Sequence, residues 1–577
     1  MPGLFKRQWA IYPLQKCANN LYFFKRFART NPLSAPMKKL TENNAAPFTA
    51  MLIFITFVLR CFIAAYTGLG NGESYYFRGA LHLNLSYFDQ PPLFFWLGAL
   101  SIKAFGLTNF GIRFASVLLF AGTSWLLFLI TKKLFTTKAG FWAVVVMNLS
   151  AVFTVAVACW YQPDAPLMFF WLLATYFIIQ LMVSPGTENS GATRNSGKTW
   201  LLWIAVGISM GLATLSKYHV LFLFAGVFMF IATNKSQRHW LRHPGPYIAI
   251  LITVIMAMPI LWWNYHNNWV SFVFQGSRAG TGGEKFHLHF DWFLRSIVGQ
   301  AAFLLPWIWF PTIRQLFISY KLRSQLLAYS FIFWMAVLPI VFFTAVTLWA
   351  DLQFHFHWQA PGYMMLFIAV GFGIDKSLNS GGKGKRLTRR WLNFSICFTI
   401  ITIGVLTLHM VTGFWTVYGP KWVVHEFHGD NLDPTIQGVD YSDINTRFEK
   451  EGWLQNPNIF TGSARWWLTG KIDWALKGKK AIIVFDPDPR NLAFLVDPKT
   501  LIGKDAIIIG DHHEPFIDAN VKPFFDSVKQ LPDIQIIRNG PEYTLQVYYC
   551  KNFHISAQQR MDLPLYRQLI GLPPFGK

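Results

Sequence analysis

Long apolar segments recur through the first 415 residues of this 577-residue chain and constrain its fold more than any other feature. A helix of about 20 apolar residues is long enough to cross a bilayer. The segments near this length lie at 47–66, 112–131, 139–158, 164–183, 199–215, 219–233, 247–263, 293–312, 326–348, 360–374 and 392–415. The sequence therefore predicts a polytopic α-helical membrane protein with about eleven spans. The apolar run Phe94–Phe105 is too short to cross and is predicted to lie along the interface.

The charge distribution excludes a nucleic-acid partner despite a net charge of +23. Residues 1–415 hold 33 Lys and Arg against nine acidic residues, whereas residues 416–577 hold 18 against 19. Basic residues enriched in the loops of a membrane region are typical of cytoplasmic loops beside anionic headgroups. Membrane lipids are therefore the partners that this charge predicts.

Basic residues also predict the orientation of the chain. If the N-terminus is cytoplasmic, the first arm and the loops on its side hold 25 Lys and Arg, against five in the loops on the other side. The predicted domains are a cytoplasmic basic arm (1–45), a membrane domain (46–415) and a soluble C-terminal domain (416–577) outside the cytoplasm. Short β-rich runs at 481–485, 506–509 and 543–549 predict that the last domain is α/β. The Gly- and Lys-rich stretch 377–390 is predicted to be a flexible cytoplasmic loop.

Carboxylates are scarce in the membrane region, and most lie on the predicted outer side. These are Glu73, Asp89, Asp164, Glu284, Asp291 and Asp351. Because a carboxylate is costly near hydrocarbon, a sparse set on one face favours chemistry over solubility. The first external loop (67–111) adds Tyr75, Tyr76 and Gln90 close to two of these acids. Asp164 has a second interpretation as the cap of the next helix.

Several motifs of the outer loops occur in a fixed order. They are Glu73-Ser74-Tyr75-Tyr76, Tyr87-Phe88-Asp89-Gln90-Pro91-Pro92, Pro163-Asp164-Ala165-Pro166, Ser216-Lys217-Tyr218, Trp263-Asn264, Trp269 to Gln275 with Arg278, and His357-Trp358-Gln359-Ala360-Pro361. In this order the chain resembles the bacterial membrane glycosyltransferases of the protein-mannosyltransferase and aminoarabinose-transferase superfamily. The resemblance covers roughly residues 50–375.

This resemblance implies a GT-C fold, in which interfacial helices form part of the first external loop. It implies transfer of a sugar from a polyprenyl-phosphate (undecaprenyl-phosphate) donor to a lipid A, lipopolysaccharide or other glycan acceptor, with inversion at the anomeric centre. The expected location is the bacterial inner membrane, with the C-terminal domain in the periplasm. A carboxylate would act as general base on the acceptor hydroxyl, and a cation at headgroup depth would bind the leaving phosphate.

One position departs from the family pattern. Relatives usually carry Asp-Glu where this chain has Gly72-Glu73. Glu73 or Asp89 would then supply the base, with Asp164 as a third carboxylate that orients the donor. The departure also leaves open a branch with altered chemistry or an inactive membrane scaffold. A transporter or flippase for a lipid-linked sugar is a further alternative, although such proteins usually carry ionisable groups near the bilayer midplane.

Cationic and aromatic residues complete the candidate set. Lys217 and Arg278 are the candidates for binding the donor phosphate, with a snorkelling lysine and a solvated loop arginine as the alternative interpretations. Tyr75, Tyr76, Gln90 and His357 are expected to line the pocket. The pairs His287/His289 and His355/His357 suggest a metal, but no fixed spacing joins them. A divalent cation such as Mg²⁺ or Mn²⁺ held by Asp89 and Asp164 also stays open as a cofactor.

Overall fold

The computed structural model describes residues 40–182, 197–279, 287–350, 355, 357–418, 435–485, 489–511, 517–538 and 541–555. Most of the predicted basic arm, together with Glu284 and Asp351, lies outside these ranges.

The membrane part is built from helices throughout. In chain order they are α1 Ala45–Tyr66, α2 Asn71–Leu81, α3 Leu93–Phe105, α4 Asn109–Leu134, α5 Thr137–Leu149, α6 Asp164–Met182, α7 Gly197–Ser216, α8 Leu221–Thr233, α9 Pro244–His266, α10 Val270–Ala279, α11 Phe290–Leu304, α12 Pro306–Leu322, α13 Leu327–Ala345, α14 Ala360–Ser380, α15 Gly382–Thr412 and α16 Phe414–Tyr418. Within the described residues, seven helices are long and apolar enough to cross a membrane, or eight if one bent pair counts as a span. The chain is therefore a multi-pass membrane protein, and the number eleven stays a prediction.

Helices α5, α6 and α14 form the interior of the bundle, while α1, α9 and α15 lie at its outside. Trp171 on α6 and Tyr363 on α14 are fully buried. Phe54 on α1 and Ile400 on α15 are about two-thirds exposed, at 66% and 67%. A helix that is apolar all round can leave such side chains on its outer face only where lipid covers them. These outer faces are therefore the lipid-facing surface.

The predicted span 293–312 is wrong as a single straight helix. Helices α11 and α12 meet at an angle of 111°. Leu305 adopts a left-handed backbone with φ of 74°, and Pro306 begins the next helix. Because proline lacks a donor and clashes with the preceding turn, it starts α12 and cannot continue α11. The apolar run hides this corner because its hydropathy is continuous.

The predicted flexible loop 377–390 is also wrong. Helix α14 continues to Ser380, and α15 begins at Gly382. The break between them falls at Gly381 and Gly382, whose φ values of 76° and 64° suit glycine. Lys and Arg are good helix formers, so the basic stretch after this glycine extends α15.

Residues 435–555 form the predicted α/β domain, which confirms the fold class. Its elements are α17 Asp443–Lys450, β1 Ile459–Ser463, α18 Trp466–Ala475, β2 Ile482–Val484, β3 Asp505–Asp511, β4 Phe525–Ile537 and β5 Pro541–Phe553. The strand order is β2-β1-β3-β5-β4, in which β1 pairs in parallel with β2 and β3, while β5 pairs antiparallel with β3 and β4. Strands β1 and β4 were not predicted from the sequence. Helices α17 and α18 pack their apolar residues against one face of the sheet.

The α/β domain is docked on α2 of the first external loop. Arg78 on α2 pairs with Asp473 on α18 through two contacts, Nε to Oδ2 at 2.5 Å and Nη2 to Oδ1 at 2.8 Å. Lys471 on α18 donates to the carbonyl oxygen of Leu69. A Cβ built on Gly470 would lie 2.7 Å from the Tyr75 backbone, so only glycine permits the close approach of the two helices. The domain is therefore fixed to the membrane part by buried charges and close packing.

We predict that this ion pair is essential for docking. Arg78→Met or Asp473→Asn leaves one buried charge without its partner, which costs about 3–5 kcal/mol. Thermal unfolding in detergent and limited proteolysis should show a lower midpoint and earlier release of the α/β domain. Arg447→Met breaks the more exposed Arg447–Glu451 pair in the same domain and should change little. Equal effects of the two pairs would contradict the assignment.

Candidate active site

Asp89 lies at the junction of the first external loop, α10 and the α/β domain. Its side chain is buried, and its Oδ2 accepts a hydrogen bond of 3.1 Å from the Tyr75 hydroxyl. Its Oδ1 is buried and has no hydrogen-bond partner within the described residues. Burial raises the pKa of Asp89 to about 6, while the positive charge of Arg490, the Tyr75 hydrogen bond and Arg278 act in the opposite direction. A carboxylate of this kind is ionised at neutral pH and still has an oxygen available to accept a proton.

Helix α10 holds the loop that carries Asp89. Gln275 donates its side-chain amide to the backbone oxygen of Asp89 at 2.7 Å, and Ser271 donates its hydroxyl to the backbone oxygen of Tyr87 at 3.0 Å. The side-chain oxygen of Asn264 accepts from the Ser271 backbone at 3.1 Å, which fixes the start of α10. The Trp269 to Gln275 motif therefore positions Asp89.

Asp164 and Lys217 form a buried ion pair. The Lys217 ammonium lies 2.9 Å from both carboxylate oxygens of Asp164, which begins α6. Both side chains are at most 6% exposed. The snorkelling interpretation of Lys217 is thus excluded, because the ammonium points to a carboxylate inside the protein. Burial lowers the pKa of Lys217, and the charge of Asp164 raises it.

Arg278 acts electrostatically on both groups of charges. It sits in the last turn of α10 and not in the loop that the sequence predicted. Its Nη2 lies 3.1 Å from His355 Nε2, and its guanidinium packs over the Trp358 ring at 5.2 Å. Its charge lowers the pKa of both Asp89 and Lys217, so Arg278 is within electrostatic range of both. The cations that the sequence proposed for phosphate binding are therefore brought together.

Two histidines border this cationic region in the neutral form. Burial lowers the pKa of His355 to about 3 and that of His357 to about 4, and neighbouring positive charges act in the same direction. At neutral pH both imidazoles are uncharged. The cationic groups of the region are therefore Arg278, Arg490 and Lys217, the last of which is paired with Asp164.

The four predicted pocket residues divide between two places. Tyr75 contacts Asp89, and Gln90 donates to the Tyr76 hydroxyl at 3.2 Å beside it. His357 lies near the Asp164–Lys217 pair, whose charges both affect its pKa. Arg278 lies within electrostatic range of both places and so connects them.

Glu73 lies in a closed ion pair. Its Oε2 accepts from the Gly70 backbone at 2.8 Å and from Arg113 Nη2 at 2.5 Å, while its Oε1 accepts from Arg113 Nε at 2.7 Å and from the Tyr161 backbone at 2.8 Å. Arg113 also donates to the backbone oxygens of Thr67 and Gly68. Four donors occupy the Glu73 carboxylate, so its geometry suits a structural role better than proton transfer.

The space at Gly72 is not the reason for the missing aspartate. A Cβ at Gly72 would make only an ordinary contact of 3.6 Å with Gln162 Nε2. The backbone at this position is helical, in the first turn of α2. Packing therefore does not exclude a Cβ at this position.

The donor set does not favour the divalent cation that the sequence left open at Asp89 and Asp164. Both oxygens of Asp164 face the Lys217 ammonium, and Asp89 Oδ2 accepts from Tyr75. Within the described residues, no three His, Cys, Asp or Glu side chains are grouped as metal ligands.

Three residues at the site were missed from the sequence. Arg113 on α4 pairs with Glu73, and the positive charge of Arg490 lowers the pKa of Asp89. Asn491 donates its backbone N–H to the Tyr75 hydroxyl at 2.8 Å. Arg490 and Asn491 belong to the α/β domain, so no local pattern connects them to the first external loop. A charge within an apolar helix was the available signal for Arg113.

Comparisons with known proteins agree with this architecture. Residues 89–263 match the family model of dolichyl-phosphate-mannose-protein mannosyltransferase. The crystal structure of ArnT from Cupriavidus metallidurans bound to undecaprenyl phosphate superimposes with a TM-score of 0.59, at 13% identity, over 87% of this chain and 97% of that chain. The chain has the GT-C fold. The resemblance to membrane glycosyltransferases that the sequence motifs indicated is confirmed by these matches.

Curated relatives share a shorter part of the chain. An undecaprenyl phosphate-α-4-amino-4-deoxy-L-arabinose arabinosyl transferase of Pseudomonas fluorescens is 25% identical over 39% of this chain and 40% of its own length. The corresponding enzyme of Proteus mirabilis is 22% identical over 59% and 60%. Lipid A galacturonosyltransferase RgtD of Rhizobium johnstonii is 25% identical over 34% and 38%. The chain thus spans less than two thirds of the length of each of these relatives.

We predict that Glu73 and Asp89 differ in what they contribute to stability. Glu73→Gln removes the charge that Arg113 needs and should lower the stability by about 3–5 kcal/mol, as for other broken buried pairs. Asp89→Asn keeps the acceptor for Tyr75 and removes a buried charge, so the melting temperature should stay the same or rise. Thermal unfolding of both variants in the same detergent tests this difference. A stable Glu73→Gln protein would refute the structural role.

Proposed function

We propose that the protein is a glycosyltransferase that moves a sugar from a polyprenyl-phosphate donor to an acceptor at the membrane face that carries the first external loop. The observation that carries this proposal is the buried carboxylate of Asp89 within electrostatic range of Arg278, which is also within electrostatic range of the Lys217 ammonium. The GT-C fold and the names of the curated relatives support it. Transfer from a donor of this class needs a base that deprotonates the acceptor hydroxyl and cations that stabilise the leaving phosphate.

Lys217 and Arg278 would bind the donor phosphate. Asp164 holds the Lys217 ammonium in place through both carboxylate oxygens, so the cation does not have to be ordered when the donor binds. A guanidinium can bind a phosphate through two oxygens, which suits Arg278. As the bond to the sugar breaks, negative charge develops on the phosphate, and preorganised cations stabilise it.

Asp89 would act as the general base. Its Oδ1 accepts the proton of the acceptor hydroxyl, while the acceptor oxygen forms a bond to the anomeric carbon. The bond between that carbon and the phosphate oxygen breaks, and polyprenyl phosphate leaves with the electron pair. Inversion at the anomeric centre follows from attack opposite the leaving group. A pKa of about 6 keeps the base ionised at neutral pH and more basic than an ordinary aspartate.

The acceptor that we propose is an envelope lipid, namely lipid A or a lipopolysaccharide core, in the bacterial inner membrane. Relatives carry names that refer to aminoarabinose transfer and to lipid A galacturonosyl transfer. The α/β domain lies on the first external loop beside Asp89, and the predicted orientation puts both in the periplasm.

We predict that deletion of the gene removes a sugar from the envelope glycolipids and that Asp89→Asn does not restore it. Mass spectrometry of glycolipids from the deletion strain, complemented with wild type or variants, measures this loss. Asp291→Asn is the matched control, because Asp291 is exposed and pairs only loosely with Arg295 at 3.9 Å. It should restore the sugar fully.

Two results would contradict the proposal. Restoration by Asp89→Asn at the wild-type level would exclude Asp89 as the base. Unchanged glycolipids and glycoproteins after deletion would favour a transporter or a scaffold.

A further inference from the structure

The edge of the α/β domain that faces the membrane part is the edge where its parallel strands end. Arg465 and Trp466 follow β1, and Arg490 and Asn491 follow the adjacent parallel strand β2 after Phe485. Loops at the carboxyl ends of parallel strands are the usual place for ligand-binding residues in open α/β sheets. The Trp466 ring contacts the Tyr75 ring edge-on, with centroids 5.2 Å apart. This edge of the sheet is therefore directed to the site that contains Asp89.

Asn491 holds the surroundings of Asp89 through two hydrogen bonds. Its backbone N–H donates to the Tyr75 hydroxyl at 2.8 Å, and its side-chain Oδ1 accepts from the Phe88 backbone at 3.3 Å. The side chain is buried, with 6% exposed. Because the Tyr75 oxygen accepts from Asn491, its own hydrogen is directed to Asp89 Oδ2. One residue of the α/β domain thus orients both the tyrosine that contacts Asp89 and the backbone next to it.

Arg490 is held in place beside Asn491 by an aromatic ring and an unusual backbone. Its guanidinium packs over the Trp466 ring at 3.9 Å. Its φ of 50° is in the left-handed region, which a residue with a side chain rarely adopts. Such strain persists where the surrounding structure imposes it, often at functional sites. Of the neighbouring groups, Arg490 lowers the pKa of Asp89 the most. Its positive charge also acts to lower the pKa of Tyr75 and of Tyr76.

The groups that act on Asp89 come from several elements. Tyr75 and Tyr76 face it from α2, Arg278 from α10 and Arg490 from the α/β domain. The Asp89 charge also raises the pKa of Tyr218, which lies just after α7. The tyrosines are neutral, because burial raises the pKa of each of them above its ordinary value. The charges that act on Asp89 at neutral pH are therefore those of Arg278 and Arg490.

We propose that Arg490 and Asn491 are positioning residues of the transfer site, so that the docked α/β domain sets the orientation and the charge environment of Asp89. This inference rests on the proposed role of Asp89 as the base. The membrane part alone then contains an incomplete site, and the ion pair between Arg78 and Asp473 joins the missing part to it.

The pH dependence of transfer tests this proposal. Purified full-length protein is added to membranes of the deletion strain, which contain the native donor and acceptor, and glycolipid masses are measured over time from pH 5 to 8. The base works only when deprotonated, so the wild-type rate should fall as the pH decreases through about 6. Arg490→Gln removes a positive charge and should move the midpoint to higher pH by about one unit. Arg490→Lys keeps the charge and should leave the midpoint close to the wild-type value.

Asn491→Asp gives a second and nearly isosteric test. The variant keeps both hydrogen bonds but adds a negative charge next to Asp89, so the midpoint should again move to higher pH. Asn445→Asp and Arg447→Gln make the same charge changes on α17 of the same domain, where Asn445 contacts Glu449 and Arg447 pairs with Glu451. Both controls should keep the wild-type midpoint.

The outcomes separate this inference from the proposed function. Wild-type midpoints for both Arg490→Gln and Asn491→Asp, while Asp89→Asn is inactive, would overturn the positioning role and leave the base in place. Transfer by Asp89→Asn at the wild-type rate would overturn both. If Arg490→Gln does not fold, as judged by gel filtration, the midpoint of Asn491→Asp decides.

Discussion

Helix α2 is held between two buried ion pairs, and the arrangement of the site depends on them. Near its N-terminus, Glu73 pairs with Arg113 on α4 at 2.5 Å. Near its C-terminus, Arg78 pairs with Asp473 of the α/β domain, also at 2.5 Å. A buried charge is stable only with a partner and further hydrogen bonds, so each pair specifies one position of α2. Since Tyr75 lies between the pairs, its contact with Asp89 follows from both.

This arrangement gives separate roles to carboxylates that look alike in the sequence. Four donors occupy Glu73, and the Lys217 ammonium neutralises Asp164. Asp89 accepts from one hydroxyl and keeps one buried oxygen without a partner in the described part of the chain. The same chemical group thus supports structure in one place, fixes a cation in another and, in the proposed mechanism, accepts a proton in the third. Hydrogen bonding distinguishes the three, and burial does not.

The membrane fold and the neighbourhood of the site were predictable because they depend on local sequence. Apolar runs predicted the spanning helices, and the motifs around Asp89 and Lys217 carried the resemblance to the GT-C enzymes. The corner at Leu305 was not predictable from hydropathy, since apolar residues continue on both sides of it. Arg490 was not predictable either, because it reaches Asp89 only through the docking of a domain about 400 residues later in the chain. The role of Glu73 depends on Arg113, 40 residues away on another helix.

The proposed function requires that a polyprenyl phosphate binds at the cations Lys217 and Arg278. A cryo-electron microscopy structure of the full-length protein in lipid nanodiscs with undecaprenyl phosphate tests it most directly. We expect the phosphate oxygens within about 4 Å of Lys217 Nζ and of the Arg278 guanidinium, the distance of an ion pair, with Asp164 still paired to Lys217. A phosphate bound at another surface of the protein, with Lys217 and Arg278 in contact with protein groups only, would contradict it.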